Sequence, residues 1–446
     1  MILSAFDQED LVSLLQGELG PDERRRTVRR LLARSIPPAP PPPPALPALT
    51  PQGEPVPAEP VQLEELGEIR LSERARTLLR EHADMPELLA RLEALTPAER
   101  PVRVRTDRDL QSCPLCQRLI ENSHDAVHAD MPRAAELAEL AIALSQELDA
   151  RRYGAGLVND LKARAWGCLA EVLRNQADLR AAEGALAVAE VLLGAGTGDV
   201  FEEARLLEIR ALVCRDQRRL DEAHGLLEEV IAVYRQYRDF HLVGRAFVQK
   251  GSVHGAAGEL EPAVRWLRKG LGLLDPTRER RLELSARHNL MLYLHESARD
   301  QEAWFLLKAS RPEFQEHGGE LLNLRLRWLE GKIQQALGQL REAEDALTEA
   351  RAGFLAQGAG FSAALVCLDL AGLYAARSRT PEMRLLAEEM LPIFRSRDIH
   401  REAIAALIVF QQAVRMEKLS SGLLDEIRSF LRQARTDPKL RFEYSS

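Results

Sequence analysis

Residues 331–347 read Gly331-Lys332-Ile333-Gln334-Gln335-Ala336-Leu337-Gly338-Gln339-Leu340-Arg341-Glu342-Ala343-Glu344-Asp345-Ala346-Leu347. Two helix-forming runs flank Gly338-Gln339, a turn signal. A small residue stands twelve positions before Ala343, and a leucine stands one helical turn after it. These three positions recur. Ala182, Ala223, Ala263, Ala303 and Ala343 are spaced by 41, 40, 40 and 40 residues, with Met383 next in line. Leu186, Leu227, Leu267, Leu307, Leu347 and Ala387 follow them, and Ala170, Ala211, Gly251, Met291, Gly331 and Ala371 precede them. A small residue on one helix admits a second helix closely, the alanine meets it there, and the leucine is expected to fill the space between hairpins. Turn residues precede the alanine column at Ala177-Asp178, Gly258-Glu259, Gly338-Gln339 and Thr380-Pro381, so each unit is predicted to be helix, tight turn, helix.

This arrangement resembles the tetratricopeptide repeat. That family's usual unit is about 34 residues, so a 40-residue period looks like its longer-helix variants, found in bacterial regulators. The resemblance covers about Gly154 to Arg397, with weaker pairs at Leu115 to Leu148 and Glu402 to Arg435. It implies an all-α fold, a right-handed solenoid of antiparallel helix pairs whose concave groove holds a protein or peptide.

Outside the array the composition changes. Residues 1–35 predict a small amphipathic helical module, carrying Leu11, Leu14, Leu15 and Leu19 on a helical period. Residues 36–61 form a Pro-rich linker, with 12 of the 24 prolines between Pro37 and Pro60. Residues 62–105 predict a helical lead-in of two helices broken near Met85-Pro86, and 106–446 the repeat array with its C-terminal cap. The run from Asp10-Leu11-Val12 through Gly17-Glu18-Leu19 and Glu23 to Val28–Ser35 resembles the zinc-binding module of bacterial anti-sigma factors. Arg30, Ser35 and Pro38 stand where that family has its metal ligands, and none of the three can replace them.

Apolar residues make up 46% of the 446 and charged residues 29%, enough for a core, while 5% aromatics with abundant Ala, Leu, Glu and Arg favours helix. A net charge of -8 makes nucleic acid an unfavourable default partner. With neither a signal peptide nor a membrane span visible, and five scattered cysteines, the reading is a cytoplasmic protein with reduced thiols.

Cys113-Pro114-Leu115-Cys116, with His124 and His128, has the ligand types of a zinc site. On a helix, however, Cys116 and His124 are about 12 Å apart along the axis, too far for one ion held by bonds near 2 Å. No metal and no cofactor is assigned. A Gly-rich phosphate loop, a nucleophile elbow and an HExxH pair are all missing, and the histidines, His241, His254, His288 and His295 among them, are scattered over the repeats, so the chain reads as no enzyme.

One periodic feature bears on binding. Six residues before the small column stand Arg164, Arg205, Arg245, Ser285, Arg325 and Leu365. In the family's geometry this position lines the groove, and later turns of the same helices supply Arg174, Asn175, Arg215, His288, Asn289, Trp328 and Lys332. Such a ladder can hold carboxylates or phosphate by charge-assisted hydrogen bonds; the alternative is pairing with glutamates of neighbouring repeats such as Glu171, Glu208 or Glu330. The function expected is a non-enzymatic scaffold for a partner protein or peptide, acidic or mixed in charge, with no membrane role. The alternative is a bacterial regulatory adaptor or sensor, anti-sigma-like or transcription-associated, acting through the N-terminal module.

Overall fold

A computed structural model describes residues 73–127, 130–395 and 421–434. The N-terminal module, the Pro-rich linker, the start of the lead-in, His128 and much of the pair from Glu402 to Arg435 lie outside the described residues. Among the described residues there are 18 α-helices and no strand, and none of these helices is long and apolar enough to cross a membrane. The chain divides into two compact units, one holding residues up to Arg210 with Ala232–Arg238, the other Ala211–Ile231 with Asp239 onward.

The first unit begins with α1 (Glu73–Glu93), α2 (Arg100–Thr106), a 3-10 turn (Arg108–Leu110), α3 (Cys113–Ala126) and α4 (Met131–Glu147). It continues with α5 (Ala150–Tyr153), α6 (Ala155–Asn175), α7 (Leu179–Gly194) and the start of α8 (Val200–Asp216). Met85-Pro86 does not break the lead-in into two helices: α1 runs through Pro86. Proline removes one helical hydrogen bond, but Met85, Leu88 and Leu92 on one face of α1 are buried, and that burial holds the helix together across it. Leu88, Leu92 and Val104 share a core with Leu115, Cys116, Leu119, Leu137 and Leu144.

Ser112 caps α3, its Oγ accepting from Leu115 N at 3.3 Å, and Pro114 sits in the first turn. This start turns both Cys113 and Cys116 into the core. The Cys116 thiol points at the Ala141 carbonyl, 3.6 Å away, and burial pushes it up to about 12; burial also raises Cys113. Both are packing thiols rather than thiolates.

In the second unit the helices are the body of α9 (Leu220–Gln236), α10 (Phe240–Ala257), α11 (Leu260–Leu271), α12 (Arg280–Glu296), α13 (Asp300–His317), α14 (Gly319–Ala336), α15 (Leu340–Ala356), α16 (Gly360–Ala376), α17 (Thr380–Arg395) and α18 (Ser421–Ala434). Consecutive helices pack from α10 through α17, and α18 covers α16. Hairpin helices such as α8 and α9 have 17 residues each, which accounts for a unit longer than 34 residues.

The sequence columns meet inside each hairpin. A Cβ on Gly251 would stand 2.9 Å from Leu267 Cγ and 3.2 Å from the Ala263 carbonyl; one on Gly331 would stand 2.7 Å from Leu347 Cγ and 3.2 Å from the Ala343 carbonyl. The column leucine packs onto the small residue of its own repeat and also shares a core with the next hairpin, Leu267 with Leu284 and Leu290 and Leu347 with Ala363 and Leu370, so it fills the space between hairpins as expected. Side chains of a helix lean toward its N-terminus, which carries the leucine back over the alanine one turn before it.

The turns obey the same period. Ala177, Arg218, Gly258, Ala298, Gly338 and Ser378 all have positive φ, between 54° and 81°. After each, the next amide reaches back over the helix end, as in Glu259 N to His254 O at 3.0 Å and Arg299 N to Leu294 O at 2.8 Å. Left-handed backbone suits glycine and strains other residues. Ala298→Gly is therefore expected to stabilise the chain by about 1 kcal/mol, and Gly258→Ala to destabilise it by a similar amount; urea unfolding of the two variants checks both signs.

Candidate functional site

In the first unit, residues 164, 167, 168 and 171 of α6 share one helical face, as do 202, 205, 206 and 209 of α8. Together with Ile120 and His124 of α3 and Leu193 of α7, these faces line a narrow cleft that opens to solvent. Its walls are apolar at Ile120, Leu193, Leu206 and Ile209, and ionic at Arg164, Arg205, Glu171, Glu202 and His124. The connection entering α8 is fastened to α6, because Thr197 donates from both N (3.2 Å) and Oγ1 to the buried carboxylate of Asp160.

The two acids of this pocket are shifted in opposite directions. Glu171 lies 2.9 Å from His124 Nδ1. Burial pushes its pKa up, but His124, then Arg174 and Arg205, overcome this and bring it down to about 2. For Glu202 burial wins over Arg164 and Arg205, and its pKa rises. The Glu202 pairing is the looser one: Arg164 Nε faces its Oε1 at 3.5 Å. That Nε is buried and has no hydrogen-bond partner among the described residues. Asn175 Nδ2 donates to the Glu171 carbonyl on its own helix at 2.8 Å.

The second unit engages its share of the expected residues in several places. Arg245 donates to Glu279 Oε1 at 3.1 Å, beside His241, whose Nδ1 accepts from Asp275 N at 2.9 Å. Arg215 grips Asp216 and donates to Ser252 Oγ at 3.0 Å. Trp328 donates its indole N–H to Asp369 Oδ2 at 2.6 Å, while Arg428 holds the other oxygen at 3.0 Å, so this tryptophan is tied to the core around Phe354. His288, Asn289, Arg325 and Lys332 come together: burial, then Arg325 and Lys332, pushes His288 down to about 4 against hydrogen bonds that the ring donates to Asn289 and to the Arg325 backbone.

The His288 shift fixes a sign. A histidine with a depressed native pKa leaves the unfolded chain to take up the proton first, so stability is full above about 6.5 and falls as the pH drops toward 4. His288→Gln is expected to flatten that limb by on the order of 2 kcal/mol, measured by urea unfolding at pH 7 and pH 4.5.

Four ladder arginines were legible from their period, and Glu171 stood among the acids expected to pair with them; Glu202 and Glu279 did not. Glu202 carries no periodic mark, and the His124 to Glu171 pairing joins residues 47 apart in the chain.

No family model matches the chain, and no curated protein does. Among solved structures it is similar to a Rap protein complexed with Competence and Sporulation Factor, at 11% identity and a TM-score of 0.53, over 72% of this chain and 87% of that one. It is also similar to a signal-transduction ATPase with numerous domains carrying a tetratricopeptide repeat sensor, from Pyrococcus horikoshii, at 14% identity and a TM-score of 0.53. The similarity covers 82% of this chain but only 53% of that protein. With the helix pairs and their 40-residue register, these likenesses establish a tetratricopeptide-like helical repeat fold.

Proposed function

We propose that the chain is a non-enzymatic scaffold that captures a segment of a partner protein or peptide, with the pocket between α3, α6 and α8 as an anchor point. The observation that carries this reading is Arg164 Nε, buried, without a hydrogen-bond partner among the described residues, and set beside an apolar wall. An orphaned buried donor is costly, and a ligand carboxylate satisfies it. Glu202, whose burial already disfavours its charge, is the acid that gives way. The ligand is acidic or mixed in charge, with a large apolar residue next to the acid to cover Leu193, Leu206 and Ile209. The Rap protein of similar fold, complexed with Competence and Sporulation Factor, supports a binding role.

Selection of peptides from a random displayed library against the full chain tests the proposal. Enrichment of Asp or Glu beside a large apolar residue is expected; no enrichment, or a consensus without acids, contradicts it.

The likeness to a chain with a tetratricopeptide repeat sensor favours a second reading, a regulatory adaptor in which the array senses a partner and residues 1–35 touch transcription machinery. Removing residues 1–35 from the full chain would then abolish binding to a sigma factor while leaving peptide capture intact.

A further inference from the structure

We propose that His224, His254 and Glu259, all in the second unit, form a binding site for one divalent transition-metal cation. The ligating atoms of the three side chains lie within 4.8 Å of one another. They come from separate elements: His224 from α9, His254 from the last turn of α10, and Glu259 from the residue after Gly258, the left-handed turn that leads into α11. The imidazole rings tilt toward each other at 48° with centroids 4.3 Å apart, and His254 Nδ1 lies 2.6 Å from Glu259 Oε2.

Two observations separate this cluster from an ordinary turn link. First, His224 Nδ1 is buried with no hydrogen-bond partner among the described residues, a ring nitrogen with a free lone pair or an unsatisfied proton. Second, the chain contains its own comparison. A histidine-to-acid link of the same spacing recurs 41 residues on, where His295 Nδ1 lies 2.6 Å from Asp300 Oδ1. There the residue in register with His224 is Val264, which follows the column alanine Ala263 as His224 follows Ala223 and offers no ligand atom. The two-member link suffices to tie a turn, so the third member at His224 is surplus to that purpose.

Two imidazoles and a carboxylate suit zinc, cobalt or nickel, with water completing the shell. Bonds of about 2.0–2.2 Å require the donor atoms to draw in. The carboxylate can do so, since the Glu259 side chain is 55% exposed. Lys250 acts on His224, but its ammonium is paired with Glu228 and lies 4.3 Å over the Trp266 ring, while Asp221 adds a compensating negative charge. The bound ion would clip α9 to the α10–α11 turn.

The test is titration of the untagged, chelator-treated full chain with Zn²⁺ by calorimetry and with Co²⁺ by visible absorption. One ion per chain is expected, with affinity at least tenfold weaker in His224→Ala, His224→Gln and Glu259→Gln and unchanged in His295→Ala. Helicity by circular dichroism establishes that each variant is folded, and His224→Gln keeps a polar side chain where alanine leaves a hole. Absence of binding in the parent chain, retention of full affinity in the His224 variants, or equal loss in His295→Ala would each overturn the site.

Discussion

Gly331→Val is expected to lower the stability of the chain by about 3 kcal/mol, at the upper end of the range for overpacking a filled interior. The added Cβ would stand 2.7 Å from Leu347 Cγ and 3.2 Å from the Ala343 carbonyl. Leu347 can rotate away only by leaving a fully buried position, and the carbonyl belongs to α15, so the helices of the hairpin must part. Because each repeat is supported mainly by its neighbours, the damage should spread beyond one hairpin and broaden the unfolding transition. Gly184→Ala is the matched control: nothing lies within 4 Å of its Cβ, and replacing an exposed helical glycine should stabilise by about 0.5–1 kcal/mol. Urea unfolding of both variants measures the contrast; a tolerated valine at 331 would show that the small column does not set the helix approach.

Arg164→Ala with Arg205→Ala is expected to weaken binding of a library-selected acidic peptide by roughly 30- to 100-fold, corresponding to about 2–3 kcal/mol for losing a desolvated charge-assisted contact. Stability should fall less than affinity, since Arg164 meets Glu202 only at 3.5 Å and Glu171, which Arg205 helps to hold charged, keeps His124 and Arg174. Arg245→Ala should do the reverse. Its guanidinium is hydrogen-bonded to Glu279, whose pKa is lowered because Arg245 and His241 outweigh burial, so its removal costs about 1–2 kcal/mol of stability and leaves peptide affinity unaltered. Calorimetric titration and unfolding of the same variants separate the two roles; equal losses of affinity in both would show that the ladder acts as a continuous track.

These contrasts mark where the sequence was legible. The columns at Gly331, Ala343 and Leu347 could be read because close helix approach restricts residue size at fixed spacings, and size is visible in a sequence. The same pattern turned Leu347 toward the next hairpin but did not show that its side chain also leans back onto Gly331, since that depends on the tilt of the side chain toward the helix start. Pro86 misled for a related reason: a local rule about proline lost to the tertiary burial of Met85, Leu88 and Leu92. Arg164 and Arg205 stood out by period, whereas Glu202 and His124 became pocket walls only through docking of distant helices. His224, His254 and Glu259 looked scattered because they belong to three elements, and only the packing of α9 beside the next hairpin brings them together.

The most direct test of the scaffold reading is amide hydrogen exchange of the full chain with and without a selected acidic peptide. Slower exchange is expected in residues 158–171 of α6 and 200–210 of α8, which wall the pocket, and that protection should vanish in the Arg164→Ala, Arg205→Ala variant. Protection confined to the second helices of the pairs, or the same protection in the variant, would contradict the account.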